Sequence, residues 1–280
     1  MAGGECKEAL YSGWAQNFVV DQVIFEEQTD HWDLSIFENN QFGRVMCIDG
    51  TIQLTEKDEF VYHEMMAHVP LLSHGDAKKV LIIGGGDGGL LREVLRHDYL
   101  ESATLVEIDA QVIEVSKKYM PMVSQGAFDN PKAKIIIQDA TQFVRDTTEQ
   151  FDVILCDSTD PEGPGAGLFT SEFYADCKKR LTPGGIFANQ NGAPFVQKEE
   201  IRLTFNNRTP HFKHVSFYVA PVPTYVGGFM AFGWASDQKH GVSETLLKER
   251  LKRVKGKMRY YTPAIHKASF ALPQYVLDAQ

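Results

Sequence analysis

A glycine-rich loop with one carboxylate inside it carries the strongest chemical signal in this sequence. An apolar run at residues 80–83 is followed by five glycines within residues 84–89, and the remaining position is Asp87. Glycines after a buried strand let a ligand approach the backbone, and the N-terminus of the helix that follows usually attracts phosphate. Because Asp87 would repel a phosphate, the loop favours a nucleoside with a cationic tail.

Three more acidic residues stand where predicted strands end: Glu107, Asp139 and Asp157. The carboxyl ends of parallel strands lie along one edge of a sheet, so we expect these side chains to converge with Asp87. Glu107 lies about twenty residues beyond the glycine loop, where a carboxylate accepts hydrogen bonds from ribose hydroxyls. Asp139 could instead serve only as the N-cap of a helix that starts at Ala140.

The loop also satisfies the dinucleotide pattern G-x-G-x-x-G through Gly84, Gly86 and Gly89. An oxidoreductase is therefore a competing interpretation. A pyrophosphate ~4 Å from Asp87 would meet a like charge, which costs roughly 4 kcal/mol at an effective dielectric constant of ~20. The sequence disfavours this interpretation.

An acidic, proline-containing loop follows the fourth predicted strand at residues 157–165. Such composition is common in turns. However, Asp157 and Asp160 are three residues apart at the predicted ligand-binding edge, and two carboxylates there are suited to holding an amine.

A predicted helix from Glu56 to about Leu72 carries Tyr62, His63 and His68. The two histidines are five residues apart, about 140° around a helix, so they cannot share a metal as an i, i+4 pair does. A single His or Tyr on an apolar helix is more often a core residue, and only the position of this helix, directly before the glycine loop, favours a functional role.

The elements around these residues predict an α/β fold. Short β-branched and aromatic runs from residue 18 to residue 54, with a hairpin at Asp49-Gly50, predict a small N-terminal antiparallel β domain. Strands and helices then alternate, which predicts a Rossmann-like, doubly wound, mostly parallel sheet of the methyltransferase type. We place the domains at residues 1–55 and 56–280. The predicted strands of the second are 80–83, 103–107, 133–137, 151–156, 185–189, 214–219 and 228–234.

Composition narrows the range of partners and compartments. The chain has 280 residues, a formal net charge of −9 and four scattered cysteines. Without a block of Lys and Arg it does not resemble a nucleic-acid-binding protein, and no segment approaches membrane-spanning length. The cysteine spacing predicts reduced thiols, with neither a zinc site nor a disulfide framework. We expect a cytoplasmic protein.

The motifs together resemble those of the spermidine synthases, the aminopropyltransferases that use decarboxylated S-adenosylmethionine, and most of all the bacterial branch. The resemblance extends from about residue 18 to about residue 275. The motifs that carry it are Asp49-Gly50 and residues 53–56, 58–59, 62–65, 84–89, 107–109, 157–164, 223–225 and 260–261.

The resemblance implies a role for each matching residue. Asp157 would be the catalytic base, assisted by Tyr62. The nucleoside co-substrate would be bound by Trp32, Gly84, Gly86, Asp87, Glu107, Asp139, the Ala140 backbone and Pro164. The amine would be bound by Tyr62, His63, Asp87, Asp157, Ser158, Thr159, Asp160 and Tyr225, with Asp160 and His63 at its distal end. The resemblance implies no metal and no cofactor beyond the co-substrate. It also implies a homodimer or homotetramer.

Three positions depart from the family pattern. Trp32 stands where the family usually has a Gln that contacts the nucleoside, and Ala140 stands where it tends to have Gly. An N-terminal aromatic over the amine site aligns with Cys6, although Trp14 is close enough to replace it.

The implied reaction is aminopropyl transfer to putrescine, which gives spermidine and methylthioadenosine. A related transferase acting on cadaverine, agmatine or spermidine, including a spermine or thermospermine synthase, shares most of these motifs. So does putrescine N-methyltransferase. A nucleoside-binding protein without catalysis would be expected to lack Asp157 or Tyr62, and both are present.

Overall fold

The computed structural model of the chain describes residues 4–28, 32–161 and 163–280, with the backbone alone at Pro164. The strands are β1 (Gly4–Tyr11), β2 (Trp14–Val20), β3 (Gln22–Gln28), β4 (Asp33–Asn39), β5 (Gly43–Ile48), β6 (Thr51–Thr55), β7 (Lys79–Gly84), β8 (Ser102–Glu107), β9 (Ala133–Ile137), β10 (Phe151–Asp157), β11 (Leu181–Gln190), β12 (His214–Ala220) and β13 (Met230–Ser236). The helices are α1 (Glu59–His74), α2 (Gly89–Leu95), α3 (Ala110–Tyr119), α4 (Pro121–Ser124), α5 (Ala140–Asp146), α6 (Ser171–Arg180), α7 (Lys198–Arg208), α8 (Glu244–Leu251), α9 (Pro263–Ser269) and α10 (Gln274–Leu277).

A seven-stranded sheet forms the centre of the molecule, in the order β12-β13-β11-β10-β7-β8-β9. Strands β7 to β11 pair in parallel, whereas β13 is antiparallel to both of its neighbours, β11 and β12. This is the predicted methyltransferase-like arrangement, and the strands switch direction of progression between β7 and β10, where open α/β sheets bind ligands.

Two strands of the central sheet start two or more residues away from the predicted position. Strand β13 begins at Met230 instead of residue 228, because Gly227 and Gly228 have φ values of 117° and 93°, outside the strand region. Strand β11 begins at Leu181 instead of residue 185, since Leu181 already pairs with Phe151 before a register shift.

Alternate residues of the central strands pack on opposite faces of the sheet, as a period of two requires. Val80 and Ile82 of β7 lie in a core cluster with Met65 of α1, while Leu81 and Ile83 lie in a second cluster with Phe173 of α6. Both faces are thus covered by helices, which explains why these strands are apolar throughout.

The N-terminal segment forms two small antiparallel sheets, β1-β2 and β3-β4-β5-β6. The predicted hairpin is confirmed: Ile48 pairs with Thr51, and Asp49 and Gly50 have φ values of 50° and 78°. The prediction missed β1, in which Glu8 is the one residue that is fully buried, so the strand has no apolar periodicity. The division at residues 55 and 56 stays a prediction.

Helix α1 is buried along almost its whole length and starts at Glu59, three residues later than predicted. It packs against α2 and on β10 and β11, which brings its first turns to the carboxyl edge of the sheet. Among the described residues, no helix combines the length and the apolar character needed to cross a membrane.

Candidate active site

The glycine loop and the end of β10 meet at the carboxyl edge of the sheet. Gly84 pairs with Asp157 in register, and the Gly85 N–H donates to the Asp157 carbonyl oxygen at 2.9 Å. A Cβ on Gly84, whose φ is 76°, would lie 2.1 Å from that carbonyl oxygen. Glycine at this position is therefore needed for the loop to touch the strand, whether or not a ligand is bound.

Asp157 and Tyr62 are in direct contact at this edge. The Tyr62 hydroxyl donates to Oδ1 of Asp157 at 2.6 Å. The other carboxylate oxygen, Oδ2, is buried and accepts no hydrogen bond from any described residue. A buried acceptor without a donor is costly, so Oδ2 marks a place where a ligand N–H fits. Burial and the nearby charge of Asp87 raise the pKa of Asp157 to about 6, which makes it a stronger base than an exposed aspartate.

His63 lies between two carboxylates. Its Nδ1 is 2.7 Å from Oε2 of Glu59 and its Nε2 is 3.4 Å from Oδ1 of Asp87. Burial alone would lower the pKa of His63, but the charges of Asp87 and Glu59 raise it to about 9. The imidazole is thus a cation at neutral pH. We call Tyr62, His63, Asp87 and Asp157 the reaction centre.

Ligand atoms of His63, Asp87 and Asp157 lie within 4.8 Å of one another, a spacing that could hold a metal ion. A metal requires a neutral imidazole, however, and a protonated His63, with Nδ1 hydrogen-bonded to Glu59 and Nε2 paired with the Asp87 carboxylate, offers no lone pair. His68 contacts Glu93 and His97, each at 2.9 Å, and so has different partners from His63. The absence of a metal stays a prediction.

The predicted nucleoside-binding residues line the same edge beside the reaction centre. Glu107 accepts from the N–H groups of Ile108 and Asp109 through Oε1, while a Cβ on Gly86 would lie 2.9 Å from its Oε2. Gly86 therefore leaves the space over Oε2 open. Burial raises the pKa of Glu107 to about 7, so donors such as ribose hydroxyls would favour its charged form.

Asp139 is a helix cap. Its Oδ1 accepts from the N–H groups of Thr141 and Gln142, and Ala140 is the first residue of α5. Although partial burial opposes it, hydrogen bonds from Thr141 hold the pKa of Asp139 below its usual value. Adenine binding by Asp139 and the Ala140 backbone stays a prediction.

Trp32 and Pro164 are the remaining predicted nucleoside contacts. Trp32 is partly buried and packs against the apolar cluster that joins the N-terminal sheet to α3, which includes Val112 and Val115. Val112 would lie 2.8 Å from a Cβ on Gly86, so this cluster is next to the glycine loop. Trp32, which packs against the cluster, is therefore on the side of the loop where α3 lies. The side chain of Pro164 lies outside the described part of the chain.

The contacts of Asp160 are separate from those of the reaction centre, and the donors to its carboxylate are neutral amides. Gln190 Nε2 donates to its Oδ1 at 3.2 Å and Gln197 Nε2 donates to its Oδ2 at 2.8 Å. In the preceding loop, the Ser158 hydroxyl donates to the Thr159 carbonyl at 3.1 Å. We call Asp160, Gln190, Gln197 and Glu200 the acceptor end.

Tyr225 joins the reaction centre through its ring. Its centroid lies 6.0 Å from that of Tyr62, and its hydroxyl donates to the Gln53 carbonyl. The loop is held in place by buried Asp58, whose Oδ2 accepts from the N–H and hydroxyl of Thr224 at 2.9 Å and 2.7 Å.

One expectation needs correction on geometry: His63 was expected beside Asp160 at the distal end of the amine. The structure places it against Asp87 and Glu59 instead. The reason is helical periodicity, because Glu59 is four residues before His63 and turns the ring towards the glycine loop.

Sequence reasoning missed the residues that surround Asp160. Gln190 ends β11, so the same strand-end rule that selected Asp157 could have found it. Glu8 of β1 is buried, accepts from the Ile52 N–H at 2.8 Å, and has a pKa that burial chiefly and Asp160 partly raise. No local signal marks it, since its strand has no apolar period.

Cys6, Tyr11 and Trp14 of the N-terminal hairpin have different surroundings. Cys6 packs against the cluster that contains Cys47, and Trp14 is exposed and contacts the ring of Tyr11 at 6.5 Å. Burial first, and then the charges of Asp160 and Glu8, raise the pKa of Tyr11. The charge of Asp160 thus acts on the hydroxyl of Tyr11.

Two family models match nearly the whole chain. The spermine/spermidine synthase domain matches residues 59–248, and the spermidine synthase tetramerisation domain matches residues 6–56. The chain belongs to the spermine/spermidine synthase family. The resemblance inferred from the motifs is thereby confirmed.

Members of this family that have been curated are similar over almost their full length. Polyamine aminopropyltransferases of Klebsiella pneumoniae (strain 342) and Shigella sonnei (strain Ss046) are each 53% identical to this chain over 97% of it, and over 96% and 95% of their own lengths.

Solved structures of the family share the fold. A spermidine synthase in complex with the transition state analogue AdoDATO has a TM-score of 0.91 and 40% identity, covering 98% of this chain and 94% of its own. The spermidine synthase from Thermotoga maritima has a TM-score of 0.90 and 40% identity, covering 98% and 93%.

Proposed function

We propose that this protein is a spermidine synthase, which transfers an aminopropyl group from decarboxylated S-adenosylmethionine to putrescine and gives spermidine and methylthioadenosine. The observation that carries the proposal is Asp157, whose Oδ1 is held by Tyr62 while its buried Oδ2 has no donor among the described residues. A carboxylate in that state is prepared to accept a proton from an amine.

The reaction needs a neutral amine and a base. An alkylamine has a pKa near ~10.4, so freeing it at a pH of about 7.4 costs roughly 4 kcal/mol. The amine N–H would donate to Oδ2 of Asp157 and lose its proton there, since a pKa of about 6 narrows the gap between base and amine. The nitrogen then attacks the aminopropyl carbon in line, the carbon–sulfur bond breaks, and sulfur keeps the electron pair as a neutral thioether.

Asp87 would bind the ammonium at the end of the aminopropyl group. Its Oδ1 accepts from the Gly89 N–H at 2.7 Å and contacts His63, so the carboxylate is fixed before the donor arrives. Ordinary S-adenosylmethionine would bring a carboxylate to the same place. A like charge at ~4 Å costs roughly 4 kcal/mol at an effective dielectric constant of ~20, which corresponds to about a thousandfold discrimination.

The diamine would extend from Asp157 past the rings of Tyr62 and Tyr225 to Asp160, which would hold its distal ammonium. The acidic surroundings fit a dication and are unfavourable for a polyanion. No cofactor beyond the co-substrate takes part in this scheme. We further propose a cytoplasmic enzyme without nucleic-acid or membrane partners, and a homodimer or homotetramer in line with the tetramerisation-domain match.

An acceptor and donor panel tests the proposal. Putrescine, cadaverine, agmatine and spermidine are each supplied with decarboxylated or ordinary S-adenosylmethionine, and products are identified by mass. We expect the highest kcat/KM for putrescine with the decarboxylated donor. Preference for spermidine would indicate a spermine or thermospermine synthase, and methyl transfer from the ordinary donor would indicate putrescine N-methyltransferase. Binding of methylthioadenosine without any transfer would leave a non-catalytic nucleoside-binding protein.

A further inference from the structure

The Asp160 carboxylate accepts hydrogen bonds from two glutamine amides that belong to different elements. Gln190, at the end of β11, donates to Oδ1 at 3.2 Å, and Gln197, just before α7, donates to Oδ2 at 2.8 Å. Each oxygen has its own donor, so the plane of the carboxylate is fixed. Both donors are neutral, which stabilises the carboxylate in one orientation without cancelling its charge.

The turn between the two glutamines explains why their nitrogens face Asp160. The Gly192 N–H donates to Oε1 of Gln190 at 2.8 Å, and the Ala193 N–H donates to Oε1 of Gln197 at 2.5 Å. With each amide oxygen held by the backbone, each amide nitrogen is turned towards the carboxylate. A Cβ at residue 192, where φ is +61°, would lie 2.4 Å from Oε1 of Gln197. This placement of the two glutamine amides therefore requires glycine there.

Glu200 holds the Gln197 amide in place from the first turn of α7. Its Oε2 accepts from Gln197 Nε2 and its Oε1 accepts from Asn191 Nδ2, both at 3.3 Å. Asn191 in turn donates to the Thr204 hydroxyl at 2.8 Å on the next turn of α7. The second hydrogen of the Gln197 amide is thereby occupied, which leaves the first directed at Asp160.

The acceptor end contains no paired cation to neutralise Asp160. Within the described residues, no Lys, Arg or His forms an ion pair with it. Burial, and then the charge of Asp160, raise the pKa of Glu200 to about 8, so Glu200 is mostly protonated at pH 7. One oriented negative charge therefore remains for a ligand.

The structure assigns Gln197 and Glu200 as positioning residues that select a diamine: they hold Asp160 in the orientation that receives the distal ammonium of the acceptor, at a fixed distance from the base Asp157. This inference rests on the proposed function and deepens it. Neither residue touches the reacting atoms, so their effect belongs to acceptor binding and not to the transfer step.

A pair of acceptors that differ only at the distal end provides the test. Putrescine carries an ammonium on its fourth carbon, and n-butylamine has the same four carbons with only a hydrogen in place of that ammonium. We expect Gln197→Met, which keeps the length of the side chain but removes the donor, to raise KM for putrescine by about 10- to 100-fold. The KM for n-butylamine, kcat with saturating putrescine and the Kd of methylthioadenosine should each change by less than about threefold.

Glu200 is tested by two variants that differ in hydrogen-bonding ability. Glu200→Gln keeps a carbonyl that accepts from Gln197, so at pH 7 its KM for putrescine should stay within about threefold of the native value. Glu200→Ala removes that acceptor and should raise this KM by about tenfold, again without an effect on n-butylamine.

A surface pair supplies the matched control. Gln274 Nε2 donates to Oδ1 of Asp278 at 2.8 Å on the exposed C-terminal helix. Gln274→Met removes the same kind of amide–carboxylate bond and should leave every kinetic constant unchanged.

Three results would overturn the inference. Gln197→Met could raise KM equally for putrescine and n-butylamine, which would indicate general damage to the site. It could leave both unchanged, or Glu200→Gln could behave like Glu200→Ala. Failure of the proposed function gives a different result, because the native protein would then transfer no aminopropyl group to either amine.

Discussion

The reaction centre and the acceptor end both present partly buried aspartates, but different groups hold them. At the reaction centre His63 contacts Asp87, and Glu59 beneath it forms ion pairs with His63 at 2.7 Å and with Arg92 at 2.8 Å. At the acceptor end the side-chain donors to Asp160, within the described part of the chain, are the amides of Gln190 and Gln197.

This difference corresponds to two tasks. In the proposed reaction, the His63 cation beside Asp87 would compensate part of the negative charge while Asp157 takes up a proton and the sulfonium loses its charge. Amides at Asp160 leave its charge intact for a ligand cation that binds and stays charged. Neutral hydrogen-bond donors preserve the ability of a carboxylate to bind a cation, whereas charged neighbours shift its pKa.

Removal of the base tests the reaction centre most severely. Asp157→Asn should lower kcat at pH 7.5 by about 10²- to 10⁴-fold, the usual contribution of a positioned general base. Affinity for methylthioadenosine, measured by calorimetry, should be retained because the nucleoside contacts are elsewhere. A parallel loss of methylthioadenosine affinity would mean that Asp157 organises the site and does not act as the base.

Removal of the charge on Asp87 tests whether the reaction centre also selects the donor. Asp87→Asn keeps the shape but loses the attraction to the aminopropyl ammonium, so kcat/KM for the decarboxylated donor should fall by about a hundredfold. Competition by ordinary S-adenosylmethionine should strengthen, and competitive inhibition constants for both compounds measure this. An unchanged preference between the two donors would place the aminopropyl tail away from Asp87.

The pH dependence should separate the two regions. Asp157, with a pKa raised to about 6, is protonated below that pH, so kcat with saturating putrescine should fall about tenfold per unit there. Glu200, with a pKa raised to about 8, gains its charge above that pH and should then lower KM for the dication.

Initial rates from pH 5 to 9 for the native protein and Glu200→Gln measure both effects. The variant should keep the native kcat profile and lose the additional decrease in KM above pH 8. A change in the kcat profile instead would show that the two regions are electrostatically coupled.

The smallest effect is expected behind the nucleoside loop. Trp32→Gln exchanges ring packing for an amide hydrogen bond of similar net worth, ~0.5 to 1.5 kcal/mol each, so the Kd of methylthioadenosine should change by less than about tenfold. Turnover should be retained. A loss of a hundredfold or more would make Trp32 a principal anchor, and a lower melting temperature with unchanged binding would assign it to the core cluster alone.

Much of the site could be predicted because its signals are local in sequence. Glu107 and Asp157 are the last residues of apolar strands and Asp87 lies three residues past the end of another, and parallel strands in one sheet bring such positions to one edge. Family membership and the methyltransferase-like fold agree with what these motifs indicated. Asp139 was found by the same rule, and its side chain caps α5, which was the simpler of its two interpretations.

Other features have no local signal. Glu8 comes from a strand without apolar periodicity, and its side chain reaches β6 only through the packing of two separate sheets. The antiparallel insertion of β13 between β11 and β12 is a matter of chain path, because an apolar run has the same composition in either direction.

Residue types and their spacing were enough to identify the groups that can do chemistry: a carboxylate in a glycine loop, carboxylates at strand ends, and a Tyr-His pair on the helix before them. The partners of these groups depended on how the elements pack in the folded protein. In the folded protein His63 pairs with Asp87 and not with Asp160. Asp160 accepts hydrogen bonds from amides of β11 and of the residue before α7. The physical reason is that residue type and periodicity are encoded along the chain, whereas the neighbour of a charge, and therefore its pKa and its role, depends on elements that meet only after folding.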